Sequence, residues 1–334
     1  MSDGSKAKEW GNLSSGYFVK KRAWDIAYKF SRTILLFGLC FLILQPLLDK
    51  ISVSFMERQD LYDSTVISIP RNFTLTNYTL VSSFLEYWQS LFQTFLIVIG
   101  SSLLQVAACT LAGYSFARFK FPLKGFWFFC VMLIIVVPPQ TIMSSLYLNF
   151  RFFDVFGLIR LITGKPINML NSVMGFFLLS ATGMGLKSGL YIFMLRQYFR
   201  GMPKELEEAA WVDGCGRLRT FVQIMLPDAA PMLTSCLLFS FVWQWTDSIY
   251  TTLFLSRYKM LSNGLSGIAD RYNQWYVYTY LPSLPGGLSA MTPIGETQMI
   301  IATGMLMVLI PLVLLYLVAQ RAFVESVSQT GIKM

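Results

Sequence analysis

Long apolar runs separated by short charged segments dominate the hydrophobic pattern of this chain. Because lipid cannot satisfy exposed backbone amides, a helix that crosses the roughly 30 Å hydrocarbon layer needs about 20 mostly apolar residues. Six runs come close to this length or exceed it, at residues 33–48, 91–117, 126–150, 173–195, 231–255 and 299–320. The pattern therefore predicts an all-α membrane protein with six transmembrane helices.

Composition supports a membrane protein, and the charge pattern predicts its orientation. Charged residues make up 13% of the chain, roughly half the usual share, and the mean hydropathy is +0.53. Of the 27 basic residues, 17 fall in segments 1–32, 118–124, 196–219 and 321–333. Since cytoplasmic loops are enriched in Lys and Arg, these segments and both termini are predicted to be cytoplasmic. The net charge of +9 then needs no nucleic-acid partner.

The residues that are absent exclude several kinds of chemistry. The chain has no histidine, so a His-based triad and a His-ligated metal are excluded. Its five cysteines form no C-x-x-C pair, and no phosphate-binding G-x-x-x-x-G-K-[ST] sequence occurs. We expect no catalytic residue and no metal site, and any ATP that drives the protein must be hydrolysed by another chain.

These patterns divide the chain into five segments. They are a cytoplasmic tail (1–32), a first transmembrane helix (33–48), an extracytoplasmic segment (49–90), a core with five further transmembrane helices (91–325) and a cytoplasmic C-terminal tail (326–334). In segment 49–90 we expect an extended stretch followed by a short amphipathic helix near 81–88. The outer loop at 256–298 is rich in Tyr and Trp, which suits either an interfacial aromatic belt or a docking surface for a soluble partner.

The segment 202–227 is predicted to fold as two short helices joined by a turn. Pro203 suits the first turn of a helix, and Asp213-Gly214 suits its end, with glycine in the left-handed conformation. The acids Glu205, Glu207 and Glu208 complement the positive end of the helix dipole. A second helix should start near Arg217. Such a helix could lie on lipid headgroups or dock against another protein surface.

This segment carries the resemblance to a known family. The sequence Glu208-Ala209-Ala210-x-x-Asp213-Gly214, followed after nine residues by Ile224-x-Leu226-Pro227, resembles the EAA loop of ABC importer permeases. The stretches 73–78, 117–122, 195–199, 243–247 and 320–333 are similar to the carbohydrate-uptake group, and more narrowly to the second membrane subunit of maltose-type sugar importers.

The resemblance implies an ABC importer permease fold in the plasma membrane of a prokaryote. It implies a second permease subunit in a heterodimer, two ATP-binding cassette subunits that bind ATP and Mg²⁺, an extracytoplasmic solute-binding protein and a sugar substrate. No cofactor is expected on this chain. The residues that the resemblance assigns to ATPase coupling are Glu207, Glu208, Ala209, Ala210, Asp213, Gly214, Leu226 and Pro227.

A few polar groups inside the predicted spans are candidates for a solute pathway. They are Lys187, Tyr191, Gln244 and Asp247. A charge at the bilayer centre costs about 2.5–3.5 kcal/mol on insertion scales, so each charge needs a reason. Lys187 could line the pathway, or snorkel, or pair with a carbonyl. Asp247 could face the pathway or pair with a base of the other subunit, and the aromatic residues could simply pack.

Three other functions compete with a sugar importer. The first is an ABC importer permease for a non-sugar solute. An ion-coupled secondary carrier should show paired inverted repeats and a buried ion site, and the sequence shows neither. A membrane-embedded enzyme would need a nucleophile with a base, or a metal constellation, and the sequence lacks both.

Overall fold

The computed structural model describes residues 4–155, 157–280 and 292–331, where the regular secondary structure is helical. The first helices are α1 (Gly4–Ser54), α2 (Arg58–Tyr62), α3 (Thr76–Leu85), α4 (Tyr87–Arg118), α5 (Lys124–Val136), α6 (Pro139–Arg151), α7 (Leu158–Thr163), α8 (Val173–Ala181) and α9 (Ser188–Gly201). They are followed by α10 (Glu205–Val212), α11 (Arg217–Thr220), a π-helical turn (Phe221–Met225), α12 (Leu226–Asp228), α13 (Ala230–Thr246), α14 (Ile249–Phe254), α15 (Leu261–Ser266), α16 (Ile268–Tyr280) and α17 (Ile294–Gly331). The predicted all-α class is confirmed.

The chain forms two compact units, Met1–Thr74 and Leu75–Met334. In the first unit, α1 is one helix that is much longer than the predicted span at 33–48, and its part from Trp24 to Ser54 is long and apolar enough to cross a membrane. Side chains such as Phe37 and Ile43 are exposed within this unit, at 74% and 75% of their surface. An apolar helix surface of this kind is suited to lipid.

The loop that follows α1 is folded by a buried carboxylate. Asp60 accepts hydrogen bonds from the backbone N–H and the side-chain Nδ2 of Asn72, each at 2.9 Å. Phe55 stacks on Phe73 with 4.8 Å between ring centroids. At the surface of the loop, hydrogen bonds from the hydroxyl and the backbone N–H of Thr65 lower the pKa of Asp63. Phe73, in the predicted extended stretch, forms an antiparallel bridge with Met56.

In the second unit, α4 is the central helix. It packs against α8, α9 and α13, and the contact is filled by buried side chains such as Val98, Leu179 and Trp245. Trp245 also donates a hydrogen bond from Nε1 to the carbonyl oxygen of Val308 at 3.1 Å, which ties α13 to α17. With 32 residues, α4 is about 48 Å long and contains the whole predicted span 91–117.

The predicted spans 126–150 and 231–255 are each formed by two helices rather than one. Three segments are each long and apolar enough to cross a membrane as a single helix among the described residues. They are residues 24–54, α4, and the part of α17 up to Gln320. The run 126–150 instead consists of α5 and α6, which meet at an angle of 108°. Pro138 and Pro139 cause this break, because neither can donate a backbone hydrogen bond. At 231–255, α13 ends at Thr246 and the separate helix α14 follows.

The predicted fourth span, 173–195, is wrong as a continuous helix. It consists of α8 and α9, separated by residues 182–187. Gly183 and Lys187 have positive φ angles of 70° and 63°, which an α-helix cannot accommodate. Gly183, which has no Cβ, permits the chain to turn here. Helix α9 then continues to Gly201, beyond the predicted end at residue 195.

Outside the central helices, α3, α15 and α16 pack against α17. The shared core contains Val81, Leu85, Ile268 and Tyr272, and Tyr272 donates a hydrogen bond to Glu296. The short helix expected near 81–88 is α3, which ends at Leu85 before the left-handed residue Glu86. The Tyr- and Trp-rich part of the outer loop is α16, whereas the prolines and glycines at 282–287 lie outside the described residues.

The close contact between α4 and α9 predicts a difference between two glycines. A Cβ at Gly113 would lie 2.9 Å from Leu195 Cβ and 3.1 Å from the backbone N of Arg196, whereas a Cβ at Gly125 would meet nothing within 4 Å. Gly113→Ala should therefore cost about 1–3 kcal/mol of stability. Gly125→Ala should be neutral or slightly stabilising. Thermal unfolding of the purified protein in detergent measures both, and equal midpoints would contradict the tight contact.

Candidate functional site

Helix α10 begins and ends where the sequence predicts. The backbone N–H groups of Glu207 and Glu208 donate to the carbonyl oxygen of Lys204, and three acids occupy the first turn. At the other end, Gly214 has a φ angle of 81° and its N–H donates to Trp211, while Cys215 N–H donates to Ala210 at 2.9 Å. This left-handed glycine satisfies the last carbonyl groups of the helix and reverses the chain direction.

One face of α10 is attached to α4 by a buried carboxylate. Glu207 is 5% exposed, and its Oε1 accepts a hydrogen bond from the hydroxyl of Tyr114 at 2.8 Å. Its Oε2 lies 3.4 Å from Nε of Arg118, and the side chains of both residues are 7% exposed. Arg118 also donates from Nη2 to the carbonyl oxygen of Met202 at 2.9 Å, just before α10. The end of α4 therefore holds both the start and the inner face of α10.

Aromatic rings surround this attachment. The ring of Tyr114 lies 5.3 Å from that of Phe199 in α9 and 4.6 Å from that of Phe221 in the π-helical turn. Phe199 is fully buried and Phe221 nearly so. Edge-to-face and tilted aromatic contacts at these distances are favourable beyond the area that they bury. The segments before and after α10 are thus packed against the same tyrosine that bonds Glu207.

The rest of the α10 surface has no cover within the described part of this chain. Glu208 and Ala209 are exposed, and Trp211 and Val212 expose 48% and 88% of their surface. Ala210, in contrast, is buried. A tryptophan and a valine exposed beside a carboxylate on a rigid helix are typical of a surface that docks another protein. The resemblance assigns Glu207 and Glu208 to the same role, but the structure buries the first side chain and exposes the second.

The chain leaves α10 through a hinge that leads into α13. α11 is followed by the π-helical turn, in which Leu226 N–H donates to the carbonyl oxygen of Phe221. This wider turn accommodates Pro227, which has no backbone donor to continue an α-helix. Pro227 is exposed and Leu226 is half-buried, and the helical path then bends by 74° into α13. Asp213, like Gly214, is exposed in the turn after α10.

Lys187, the first of the four pathway candidates, lies at the break between α8 and α9. Its side chain is exposed, and its Nζ lies 4.9 Å from the ring centroid of Trp243 in α13. Trp243 is itself 45% exposed. A cation over a tryptophan ring is a favourable contact, so Lys187 stabilises the junction of these helices without a carboxylate. The two residues present a positive charge and an aromatic surface side by side.

Gln244 lies in a buried polar network rather than at a surface. Its Nε2 donates to Gln105 Oε1 at 2.7 Å and to Ser240 Oγ at 2.9 Å, and its Oε1 accepts from Ser101. Gln105 Nε2 in turn donates to Ser188 Oγ at 2.7 Å, which joins α9 to the network. Burial removes the hydrogen bonds that these amides would make to water, and the bonds within the network take their place.

Sequence reasoning missed Ser101, Gln105, Ser188 and Ser240. A signal was present, since the second and fifth runs each contain Ser-x-x-x-Gln, at 101–105 and 240–244. Residues four apart lie on one face of a helix, so each pair forms a polar patch in an apolar segment. Two such patches on different apolar helices indicate that their polar side chains form hydrogen bonds to one another.

Tyr191 and Asp247 are also buried. Tyr191 is fully buried between α4 and α13, and its hydroxyl has no hydrogen-bond partner in the described part of the chain. Asp247 is 7% exposed and accepts from the backbone N–H groups of Ile249, Tyr250 and Thr251 at 3.0–3.2 Å. Its carboxylate thus caps the N-terminus of α14. Of the four pathway candidates, Lys187 alone has an exposed side chain.

The charged groups at this site join helices to one another. Among the described residues, no group of three or more His, Cys, Asp or Glu side chains could hold a metal ion. The clustered charged groups are instead those that tie α10 to α4. Glu207 thus connects α10 to α4, and the π-helical turn leads from the α10 segment to α13.

Comparison with known proteins identifies similar chains. Residues 109–329 match the model of the family described as the binding-protein-dependent transport system inner membrane component. The chain is 26% identical over 301 residues to the arabinooligosaccharides transport system permease protein AraQ of Halalkalibacterium halodurans, which covers 88% of this chain and 93% of that protein. It is 24% identical over 317 residues to the sn-glycerol-3-phosphate transport system permease protein UgpE of Escherichia coli O1:K1, which covers 92% of this chain and 98% of that protein.

A solved structure has the same fold. It is the crystal structure of a bacterial ABC transporter involved in the import of the acidic polysaccharide alginate. One of its chains matches with a TM-score of 0.67, covering 90% of this chain and 97% of that chain at 17% sequence identity. The arrangement of helices described above is therefore that of an ABC transporter permease.

The attachment of α10 predicts a difference between two neighbouring acids. Glu207→Ala should loosen the helix, because loss of one partner of a buried ion pair costs about 3–5 kcal/mol. Glu205→Ala removes an equal charge from the same turn but from an exposed position. Hydrogen exchange of the α10 backbone amides should accelerate more than about tenfold in the first variant and remain close to wild type in the second. Equal exchange in both variants would show that Glu207 does not hold the helix.

Proposed function

This chain belongs to the family of binding-protein-dependent transport system inner membrane components, and from that premise we propose that it forms half of the transmembrane pathway of an ATP-driven sugar importer. Members of the family are permease subunits rather than enzymes, embedded in the prokaryotic plasma membrane by several helices. The family implies a second permease, a separate ATPase and a solute-binding protein as partners.

The observation that carries the proposal is that α10 is attached to α4 by a buried side chain and also has an exposed surface. Glu207 anchors its inner face to α4, while Glu208, Trp211 and Val212 leave its outer face open for another chain. In the proposed mechanism, an ATPase that binds ATP and Mg²⁺ also binds this outer face of α10. Closure of the ATPase dimer moves α10, and the buried ion pair transmits the movement to α4 as a rigid body.

We further propose that the chain crosses the membrane six times, with both termini in the cytoplasm. Among the described residues, three helices are long enough to cross alone, and the bent pairs α5–α6 and α11–α13 would each supply one more crossing. The sixth would be formed by α8 and α9 together. The clustering of basic residues near α10 supports the cytoplasmic placement of this helix. The companion permease is proposed to be a different chain, so that the pathway lies in a heterodimer.

The proposed substrate is a sugar or an oligosaccharide. AraQ, whose name includes arabinooligosaccharides, supports this choice over nearly the whole length of the chain. The predicted spans contain few fixed charges, which suits an uncharged, hydroxyl-rich solute better than an ion.

A phosphate-bearing solute is a second candidate. UgpE, whose name includes sn-glycerol-3-phosphate, is similar over 98% of its length, and Lys187 provides an exposed positive charge next to Trp243. ATPase activity of the reconstituted complex with its cognate binding protein separates the two candidates. We expect stimulation by a sugar and none by glycerol phosphate. Stimulation by glycerol phosphate alone would overturn the sugar assignment.

The coupling role of α10 predicts the effect of a charge reversal. Glu208→Lys should leave the chain inserted in the membrane but abolish solute-stimulated ATPase activity, because the exposed acid is proposed to contact the ATPase. Gly214→Val should act similarly, since a φ angle of 81° is strained for any residue with a Cβ. Asp25→Lys is the matched control, an exposed acid of α1 outside the loop. Unchanged transport in the Glu208 variant would refute the coupling role.

A further inference from the structure

A deep cleft lies between the end of α4, the start of α5 and helix α10. Its volume is about 980 Å³, and six basic side chains line it. They are Arg118, Lys120, Lys124, Arg200, Lys204 and Arg217. Two carboxylates share the lining, Glu207 and Glu208. The cleft therefore has a strong excess of positive charge on both of its walls.

Little of this charge is neutralised by the protein. The carboxylate of Glu207 is already occupied by Arg118 and Tyr114. Within the described residues, no carboxylate oxygen lies within ion-pair distance of the other five basic side chains. Lys124 instead donates to the carbonyl oxygen of Phe119 at 2.8 Å. Cations that converge in a cleft without counter-charges create a field that attracts an anion.

The position of the cleft indicates which anion it meets. Helix α4, which is long enough to cross the membrane, ends at Arg118, and the apolar helix α5 starts at Lys124. The basic residues around this junction thus lie where the hydrocarbon layer gives way to water. Trp211 also lines the cleft, and tryptophan is enriched at the membrane interface.

An apolar surface continues from the cleft along α5. Phe126 and Trp127 expose 56% and 53% of their surface just beyond Lys124. A free phosphate ion would use the basic groups but not this surface. A phospholipid uses both, because its phosphate meets the cations while its acyl chains lie along the helix.

We propose that this cleft binds the phosphate headgroup of an anionic phospholipid. The bound lipid would bridge α4–α5 and the coupling helix α10, and so stabilise the loop against which the ATPase is proposed to dock. The proposal rests on the membrane-spanning role of α4 and α5. It does not depend on the sugar specificity. Glu208 and Trp211 belong both to the cleft lining and to the proposed coupling face, so the test leaves both residues unchanged.

The test compares two double variants of the complete transporter complex. Lys120→Gln with Lys124→Gln removes two charges from the cleft and touches no residue of the proposed coupling face. Arg219→Gln with Arg257→Gln removes the same charge from exposed residues that do not line the cleft. Native mass spectrometry measures how many molecules of phosphatidylglycerol, or of phosphatidylcholine as the zwitterionic control, stay bound to each complex.

We expect wild type and the control variant to retain phosphatidylglycerol in preference to phosphatidylcholine. In the cleft variant the affinity for phosphatidylglycerol should fall roughly 25-fold, since each basic residue near a membrane surface contributes about fivefold. Equal retention in the two double variants would overturn the proposal. Displacement of the lipid by millimolar inorganic phosphate would also overturn it, because the site would then select free phosphate.

The same spectra distinguish a failure of this proposal from a failure of the proposed function. If the cleft variant lost the ATPase subunits in lipid-free detergent, the cleft would be a protein interface, and the lipid assignment would be wrong. If wild type carried no ATPase subunit but still retained phosphatidylglycerol selectively, the lipid site would stand and the coupling role would fall.

Discussion

A buried carboxylate needs partners, and in this protein that requirement joins a short loop helix to a membrane helix. Glu207 finds a hydroxyl at Tyr114 and a guanidinium at Arg118, one turn apart on α4. Removal of either charge would leave the other buried without a counter-charge, so α10 cannot swing freely relative to α4. The exposed face with Glu208 and the inner face with Glu207 thus form two ends of one rigid connection.

The hydrogen-bonded network inside the helix bundle has a complementary role. Gln105 accepts bonds from Ser240 and Gln244 and donates to Ser188, which joins α4, α9 and α13 without a formal charge. In lipid, such bonds add specificity to helix contacts that the hydrophobic effect does not drive. If α10 moved, the movement would therefore act on α4, α9 and α13, which the buried network also joins to one another. This arrangement suits a subunit that transmits force and performs no chemistry.

Much of the coupling site could be predicted from the sequence because its signals are local. Pro203, the acids of the first turn and Gly214 define α10 through capping and backbone conformation, and the structure confirms the helix and its left-handed end. Long-range partners left no such signal. Nothing near Glu207 in sequence indicates that Tyr114 and Arg118 enclose it. For the same reason the sequence predicts Gln244 and Tyr191 as pathway residues, although packing buries both. The break at residues 182–187 depends on positive φ angles that apolar periodicity does not register.

The central claim is that the outer face of α10 is held by an ATPase, and site-specific photocrosslinking in intact cells tests it most directly. A photoreactive amino acid at Ala209, which is exposed on that face, should form a covalent adduct with a nucleotide-binding chain. The same group at Asp270, an exposed residue of α16, should not. An adduct between position 209 and an extracytoplasmic protein, or the absence of any adduct with a nucleotide-binding chain, would contradict the account.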